Sequence, residues 1–401
     1  MLAWLAPILV FGLVIFVHEL GHFVAAKIVG VYAPVFSFGW GPRLWGFRRG
    51  ETDYRISWLP IGGFVAMATK DSEGMSAIEG STDVAEEATP GEKQGHEKGL
   101  NPIPFDPTAL KPFGPRPVPR ERWIESKSLG AKVFVLTAGV IMNAVLALLV
   151  SVGTLATMGR PYVPAVVDSV VAGRPAAAAG FARGDSIVRV AGAPVSRWSD
   201  FVERVSASPG VPLTVDVAGT DGQVRSLSIV PDAVDEADPI TGELRKVGQI
   251  GVVRVIRSAR EDVGMGEAIR DGWRVTVGMG SDVIKTVGGL FAGQVSVKQL
   301  GGPIAIARTS FAAAQSGVEN LLFLIAFLSV NLAILNLLPI PLLDGGQILI
   351  RVIEAAKGSE LSVRTQEYLM RAGMLALLGL FVLVMYNDIV RWVQDIMGRV
   401  G

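Results

Sequence analysis

Two histidines four residues apart flank a glutamate in the run Val17-His18-Glu19-Leu20-Gly21-His22. Residues i and i+4 share one face of an α-helix, so His18 and His22 can aim two imidazole nitrogens at one Zn²⁺ while Glu19, one step round, is placed to act as a base. That combination is metalloprotease chemistry. Its setting is unusual, because Ala3 to Phe16 is almost wholly apolar and Phe23-Val24-Ala25-Ala26 resumes the apolar run. Ionisable groups at membrane depth are costly and mark function.

A catalytic zinc takes three protein ligands and keeps one position open. The chain has three histidines. The third, His96, sits in a polar segment that does not offer the neighbours a metal site would need, and it reads as solvated. The third ligand is therefore expected to be acidic, with Glu51, Asp53 and Asp344 as candidates. Glu51 and Asp53 fall at a charged hairpin turn that reads as exposed. Asp344, in Leu342-Leu343-Asp344-Gly345-Gly346, has apolar residues and glycines around it and is the better choice. Asn143, Asn331 and Asn336 also interrupt apolar segments. A lone membrane asparagine commonly joins helices, which makes Asn143 a secondary site candidate.

These groups need a scaffold, and composition narrows it. Half of the 401 residues are hydrophobic and mean hydropathy is +0.44, as in a membrane protein with a soluble portion. Lys plus Arg equals Asp plus Glu, at 37 each, which argues against a nucleic-acid or polyanion partner. The absence of cysteine excludes disulfides and thiolate zinc sites.

Crossing about 30 Å of hydrocarbon takes about 20 helical residues, and four segments qualify: 1–30, 129–158, 318–341 and 367–393. The first lacks a basic leader and a small-x-small cleavage site, so it is expected to stay in the mature protein. Between spans one and two, 31–70 alternates apolar and polar residues around Arg49-Gly50-Glu51 and reads as one or two β-hairpins, aromatic enough for a membrane interface. The stretch 71–128 is acidic, then proline-rich, and reads as a disordered or polyproline-like loop. Residues 161–256 form a soluble α+β module with a hairpin at Gly219-Thr220-Asp221-Gly222. Its segment Ala178 to Ile187 resembles a bacterial PDZ domain, a module that captures extended peptide at a sheet edge. Residues 263–317 read as amphipathic helices, with Ile269, Trp273, Val277, Ile284, Val287 and Phe291 in one stripe suited to the membrane surface. A loop or helix, 342–366, precedes span four.

Basic residues cluster between spans one and two, including Arg43, Arg48, Arg49, Arg55, Arg116, Arg120, Arg122 and Lys127. The positive-inside tendency makes that loop cytosolic. Spans one and three then both run inward, so His18, His22 and Asp344 reach the same membrane face, and the PDZ-like module lies outside.

His18-Glu19-Leu20-Gly21-His22 in a first span, a PDZ-like module, and Asn331-x4-Asn336-x2-Pro339-x-Pro341-x2-Asp344-Gly345 at a third span together resemble the bacterial site-2 protease family of intramembrane zinc metalloproteases. The resemblance covers nearly the whole chain. It implies that His18, His22 and Asp344 hold Zn²⁺, that Glu19 is the general base, and that Asn336 with Asn331 contacts substrate backbone. It further implies a membrane-dipping β-structure over Val31 to Met67, a multi-pass protein of the bacterial inner membrane with its active site towards the cytosol, and single-pass membrane substrates such as anti-sigma factors or remnant signal peptides. Two features depart from the pattern. Gly139-Val140 stands where relatives often have Gly-Pro, and the 71–119 insertion is long. The competing readings are a catalytically inactive PDZ-bearing receptor or scaffold with a structural metal, and a metal transporter. An intact Glu19 argues against the first and the apolar spans two and four against the second.

Overall fold

The computed structural model describes residues 2–70, 76–77, 106–237, 244–255, 259–297 and 300–400. His96 and most of the acidic insertion lie outside them. The chain forms two compact units, Met1–Thr154 with Gly266–Gly401, and Leu155–Met265.

In the first unit a 3-10 turn leads into α1 (Ala6–Ile28), which has proline in its first turn, where a missing N–H costs nothing. Buried residues recur along α1 at Val10, Val14, His18, Gly21, His22 and Ala25, a spacing of three to four that defines one packed stripe. The histidines thus lie on the face that holds the helix in place.

Strands β1 (Val35–Arg49) and β2 (Thr52–Met67) follow. Both bend: Gly39 and Gly41 in β1 and Gly62 in β2 adopt φ near +90°, a region closed to most side chains. The antiparallel pair therefore doubles back on itself. Arg49 opposes Thr52 and Val35 opposes Ala66, while Val35–Phe38 also aligns in ascending order with Asp53–Ile56. The result is one doubled sheet rather than separate hairpins, and β3 (Ser76–Ala77) pairs with Ala66 and Met67 at its edge. Period-two alternation buries Asp53, Arg55 and Ser57 and leaves Ile56 and Trp58 exposed, with Trp45, Phe47 and Leu59 exposed nearby. The expectation of an exposed turn fails at Asp53. It is fully buried and accepts hydrogen bonds from Arg43 Nε and Nη2, both at 3.1 Å.

The proline-rich stretch corrects another expectation. From Asp106 onward it is folded: Ala109, Phe113 and Val118 are buried, and Val118 clusters with Tyr32 and Ala68. Main-chain hydrogen bonds from Tyr32 to Arg122 and from Ile124 to Ala68 tie it to the strands. Hydrophobic residues between the prolines supply contacts that the composition alone conceals. Helix α2 (Leu129–Met158) follows.

The second unit contains β4 (Arg160–Tyr162), β5 (Val167–Val170), α3 (Pro175–Ala178), β6 (Ser186–Val190), β7 (Ala193–Pro194), α4 (Trp198–Ser206), β8 (Leu213–Ala218), β9 (Val224–Ile229), β10 (Asp232–Ala237), β11 (Leu244–Gln249), β12 (Val252–Arg254) and β13 (Ala259–Glu261). Its main sheet has the order β7-β6-β8-β9, and β5 pairs with β12. Val167, Ile187, Val190, Phe201, Val215 and Val217 form its core. The β8–β9 hairpin turns at the expected glycines, with Gly222 at φ +78°.

Returning to the first unit, α5 (Met265–Phe291), α6 (Pro303–Ser316), α7 (Val318–Asn336), α8 (Asp344–Lys357) and α9 (Val363–Val400) complete the chain. Ile269, Trp273, Val277 and Ile284 of α5 are exposed, and the helix packs through Met279 onto Ala147 of α2 and Ala326 and Val330 of α7. Gly272, lying against Val152 of α2, permits this close approach. Among the described residues, four helical segments are long and apolar enough to cross a membrane: Ala3–Ile28, Leu129–Met158, Val318–Asn336 and Val363–Gln394.

Candidate metal centre and active site

Helix α1 meets α2 at two glycines. A Cβ on Gly21 would lie 2.4 Å from the Ala138 carbonyl oxygen, and one on Gly139 would lie 2.5 Å from His22 Nε2 and 2.7 Å from His18 Cε1. The bare backbone of α2 therefore forms the floor beneath both imidazoles. Asp344 arrives from the other side, at the start of α8 after the turn that ends α7. Gly345 and Gly346 let that turn close, since a Cβ on either would come within about 2.1 Å of the carbonyl oxygens of Leu337 and Ile340. Gln347 Nε2 donates to the Pro341 carbonyl at 2.6 Å and braces the same turn.

The three side chains converge. His18 Nε2 and His22 Nε2 are 3.1 Å apart, and Asp344 Oδ2 is 3.3 Å from the first and 3.5 Å from the second. His18 and His22 are each 1% exposed and Asp344 2%. His22 Nδ1 donates to the Val135 carbonyl at 2.8 Å, so its Nε2 presents a lone pair. Asp344 Oδ2 accepts no hydrogen bond despite its burial. Lone pairs held this close in an apolar interior repel unless a cation lies among them. Tetrahedral zinc with ligand bonds of 2.0–2.1 Å separates its ligand atoms by about 3.3 Å, which is the spacing found here. The donor set fits zinc, and two imidazoles with one carboxylate leave a coordination position open.

The other predicted residues are distributed around this triangle. Glu19 is 2% exposed, and a Cβ on Gly63 of β2 would lie 3.4 Å from its Cγ, so the bent sheet packs directly beside it. Asn336 is buried at the end of α7 and its Nδ2 donates to His18 Nε2 at 3.0 Å. Asn143 Nδ2 lies 3.4 Å from His18 Nδ1. Asn331 is not brought in: it is half-buried, and five residues of helix place it about 140° round from Asn336. Glu51 and Asp53, the alternative acids, are engaged by Arg122 with Lys27 and by Arg43 respectively. Sequence reasoning missed the Val135 carbonyl, which carries no residue-type signal. It treated Gly139 only as a departure, although a glycine centred in an apolar span marks a close contact.

The model of peptidase family M50 matches residues 6–380. The chain belongs to peptidase family M50. This M50 peptidase is 31% identical to the zinc metalloprotease RasP of Bacillus licheniformis over 96% of its length and 98% of the relative's. It is 30% identical to the regulator of sigma-W protease RasP of Bacillus subtilis, with the same coverage. It is 32% identical to a putative zinc metalloprotease of Agrobacterium fabrum, over 95% of the chain and 94% of that protein. The M50 chain is a zinc metalloprotease, so the motif-based resemblance holds and the reading as an inactive receptor is not favoured.

Proposed function

We propose that this zinc metalloprotease hydrolyses peptide bonds inside the membrane-spanning segments of single-pass proteins. The observation that carries this reading is the apolar, buried setting of the donor triangle. Two of its three members lie on a 26-residue apolar segment and are almost wholly buried.

In this reading His18, His22 and Asp344 hold the zinc, which when bound supplies Lewis-acid polarisation to the scissile carbonyl and to the attacking water. Glu19 takes the proton from that water and passes it to the leaving amine, as a buried carboxylate next to the donor set can do. Asn336, whose N–H already points at the triangle, donates to the substrate carbonyl as negative charge develops there. A membrane helix satisfies its own backbone hydrogen bonds, so its peptide bonds are shielded until it unwinds. The β1–β2 sheet beside Glu19 offers strand pairing to the unwound stretch, and its exposed Trp45, Phe47, Trp58 and Leu59 suit a dip into the bilayer.

The second unit is read as a PDZ domain outside the cell membrane, able to take a peptide ligand. The chain is assigned to the bacterial inner membrane, multi-pass, with its active site towards the cytosol. Anti-sigma factors are the favoured substrates, supported by the sigma-W regulator among the relatives. Remnant signal peptides share the same chemistry and come second.

The test is co-expression with single-pass substrates and mapping of the cleaved bond. Glu19→Gln is expected to keep zinc and lose at least about 100-fold in cleavage rate. Full activity in that variant removes Glu19 as the base, and cleavage confined to bonds outside the bilayer overturns the intramembrane assignment.

A further inference from the structure

Val135, Gly139 and Asn143 recur every four residues along α2 and face His22 and His18, themselves four apart on α1. Each does something different. The Val135 carbonyl takes the His22 Nδ1 proton at 2.8 Å. Gly139 makes that possible: a helical side chain at i+4 covers the carbonyl at i, and here any Cβ would also strike both rings. Asn143 is fully buried, with its amide 3.4 Å from His18 Nδ1 and its Oδ1 lacking any hydrogen-bond partner. An amide's oxygen and nitrogen have the same shape, and a half-turn about the last side-chain bond exchanges them. That turn satisfies the orphaned oxygen with the His18 Nδ1 proton and leaves His18 Nε2 with a lone pair, the form of the ring that can bind a metal.

We propose that α2 orients both zinc-binding imidazoles, His22 through the main-chain carbonyl of Val135 and His18 through the side-chain oxygen of Asn143. Asn143 is thereby a positioning residue that sets the tautomer of His18. The proposal rests on the reading that His18, His22 and Asp344 hold zinc. An imidazole whose second nitrogen is held by an acceptor stays in the metal-binding tautomer, and loss of such a partner typically costs 10–100-fold in metal affinity. The two arrangements differ in one respect: the Val135 carbonyl cannot be deleted by substitution, whereas the Asn143 oxygen can. The Gly139 carbonyl is a second acceptor close to His18, and the experiment separates the two.

The measurement is zinc retention by the purified full chain in a chelator titration, together with imidazole nitrogen shifts in histidine-labelled protein. Three histidines make the spectrum assignable. Asn143→Leu, similar in volume and apolar, is expected to loosen zinc by about 10–100-fold and to move the His18 resonances while those of His22 stay put. Asn143→Asp, which keeps the acceptor, is expected to recover affinity to within about threefold of wild type, well below the loss that deletion of the acceptor brings. If Asn143→Leu keeps wild-type zinc affinity and His18 shifts, the Gly139 carbonyl suffices and the proposal is wrong. If Asn143→Asp is as weak as Asn143→Leu, the acceptor is not what matters and the proposal is equally wrong. His22→Ala serves as the separate control: if it retains zinc at wild-type affinity, the metal-site reading itself fails, whatever Asn143 does.

Discussion

Three acids compete for the third ligand position, and their neighbours decide between them. Asp344 Oδ2 has no hydrogen bond and two imidazole nitrogens within 3.5 Å. Asp53 is equally buried, yet it is paired with Arg43. The two substitutions should therefore separate. Asp344→Asn is expected to lower zinc occupancy by at least about tenfold with little loss of fold, because it removes a ligand charge from a site that Gly345 and Gly346 still shape. Asp53→Asn should keep its zinc but lose stability, by up to about 3–5 kcal/mol, since it removes the carboxylate charge that pairs with the buried Arg43. Metal analysis and thermal unfolding of both variants check this, and unchanged zinc in Asp344→Asn would send the assignment back to the other acids. The histidine pair and Glu19 were readable from spacing because one helix positions them. The burial of Asp53 was not, because its partner is recruited by the doubled sheet and a hairpin turn ordinarily lies at the surface.

The sheet must be anchored if it is to lie beside Glu19, and Glu51 supplies the anchor. Its carboxylate takes two hydrogen bonds from Arg122, at 2.7 and 2.8 Å, and one from Lys27 at 2.7 Å, joining the β1–β2 turn to the end of α1 and the segment before α2. These partners, Arg122 foremost, hold the Glu51 pKa at about 2 against an ordinary 4.5. A carboxyl depressed in the folded state stabilises fully above its unfolded value and loses that contribution as pH falls through its folded value. The tether should thus be intact above about pH 4.5 and fade from there to about pH 2. Glu51→Gln is expected to lower the unfolding midpoint at pH 7 by about 2 °C, small because the pair is partly solvent-screened. It should also remove the corresponding slope below pH 4.5 seen for wild type. Identical melting curves across that range would show the tether to be idle. Helix α5 carries a different lesson: its apolar stripe was legible, but the protein packs through a neighbouring face that carries Ala268, Gly272, Met279 and Val283. Periodicity identifies a face without saying what covers it.

For the whole molecule, the four apolar segments were visible from length and hydropathy, and all four are helical. Their orientation is open to direct test, because the chain has no cysteine of its own. A single cysteine at Glu203 in the second unit should react with a membrane-impermeant maleimide on intact cells, and one at Lys357, the last residue of α8, should react only once the membrane is opened. The reverse pattern would invert the proposed topology. The sequence by itself determined the metal chemistry, the four long apolar helices and the family, because each rests on residue types at short spacing or on long apolar runs, and local geometry reads both. Only the tertiary structure decided that Asp344 rather than Asp53 completes the donor triangle, that a glycine and a main-chain carbonyl of α2 support the histidines, and that the proline-rich stretch is folded. Those outcomes depend on contacts between residues tens to hundreds of positions apart, with backbone atoms among the partners, and such atoms leave no mark on residue type.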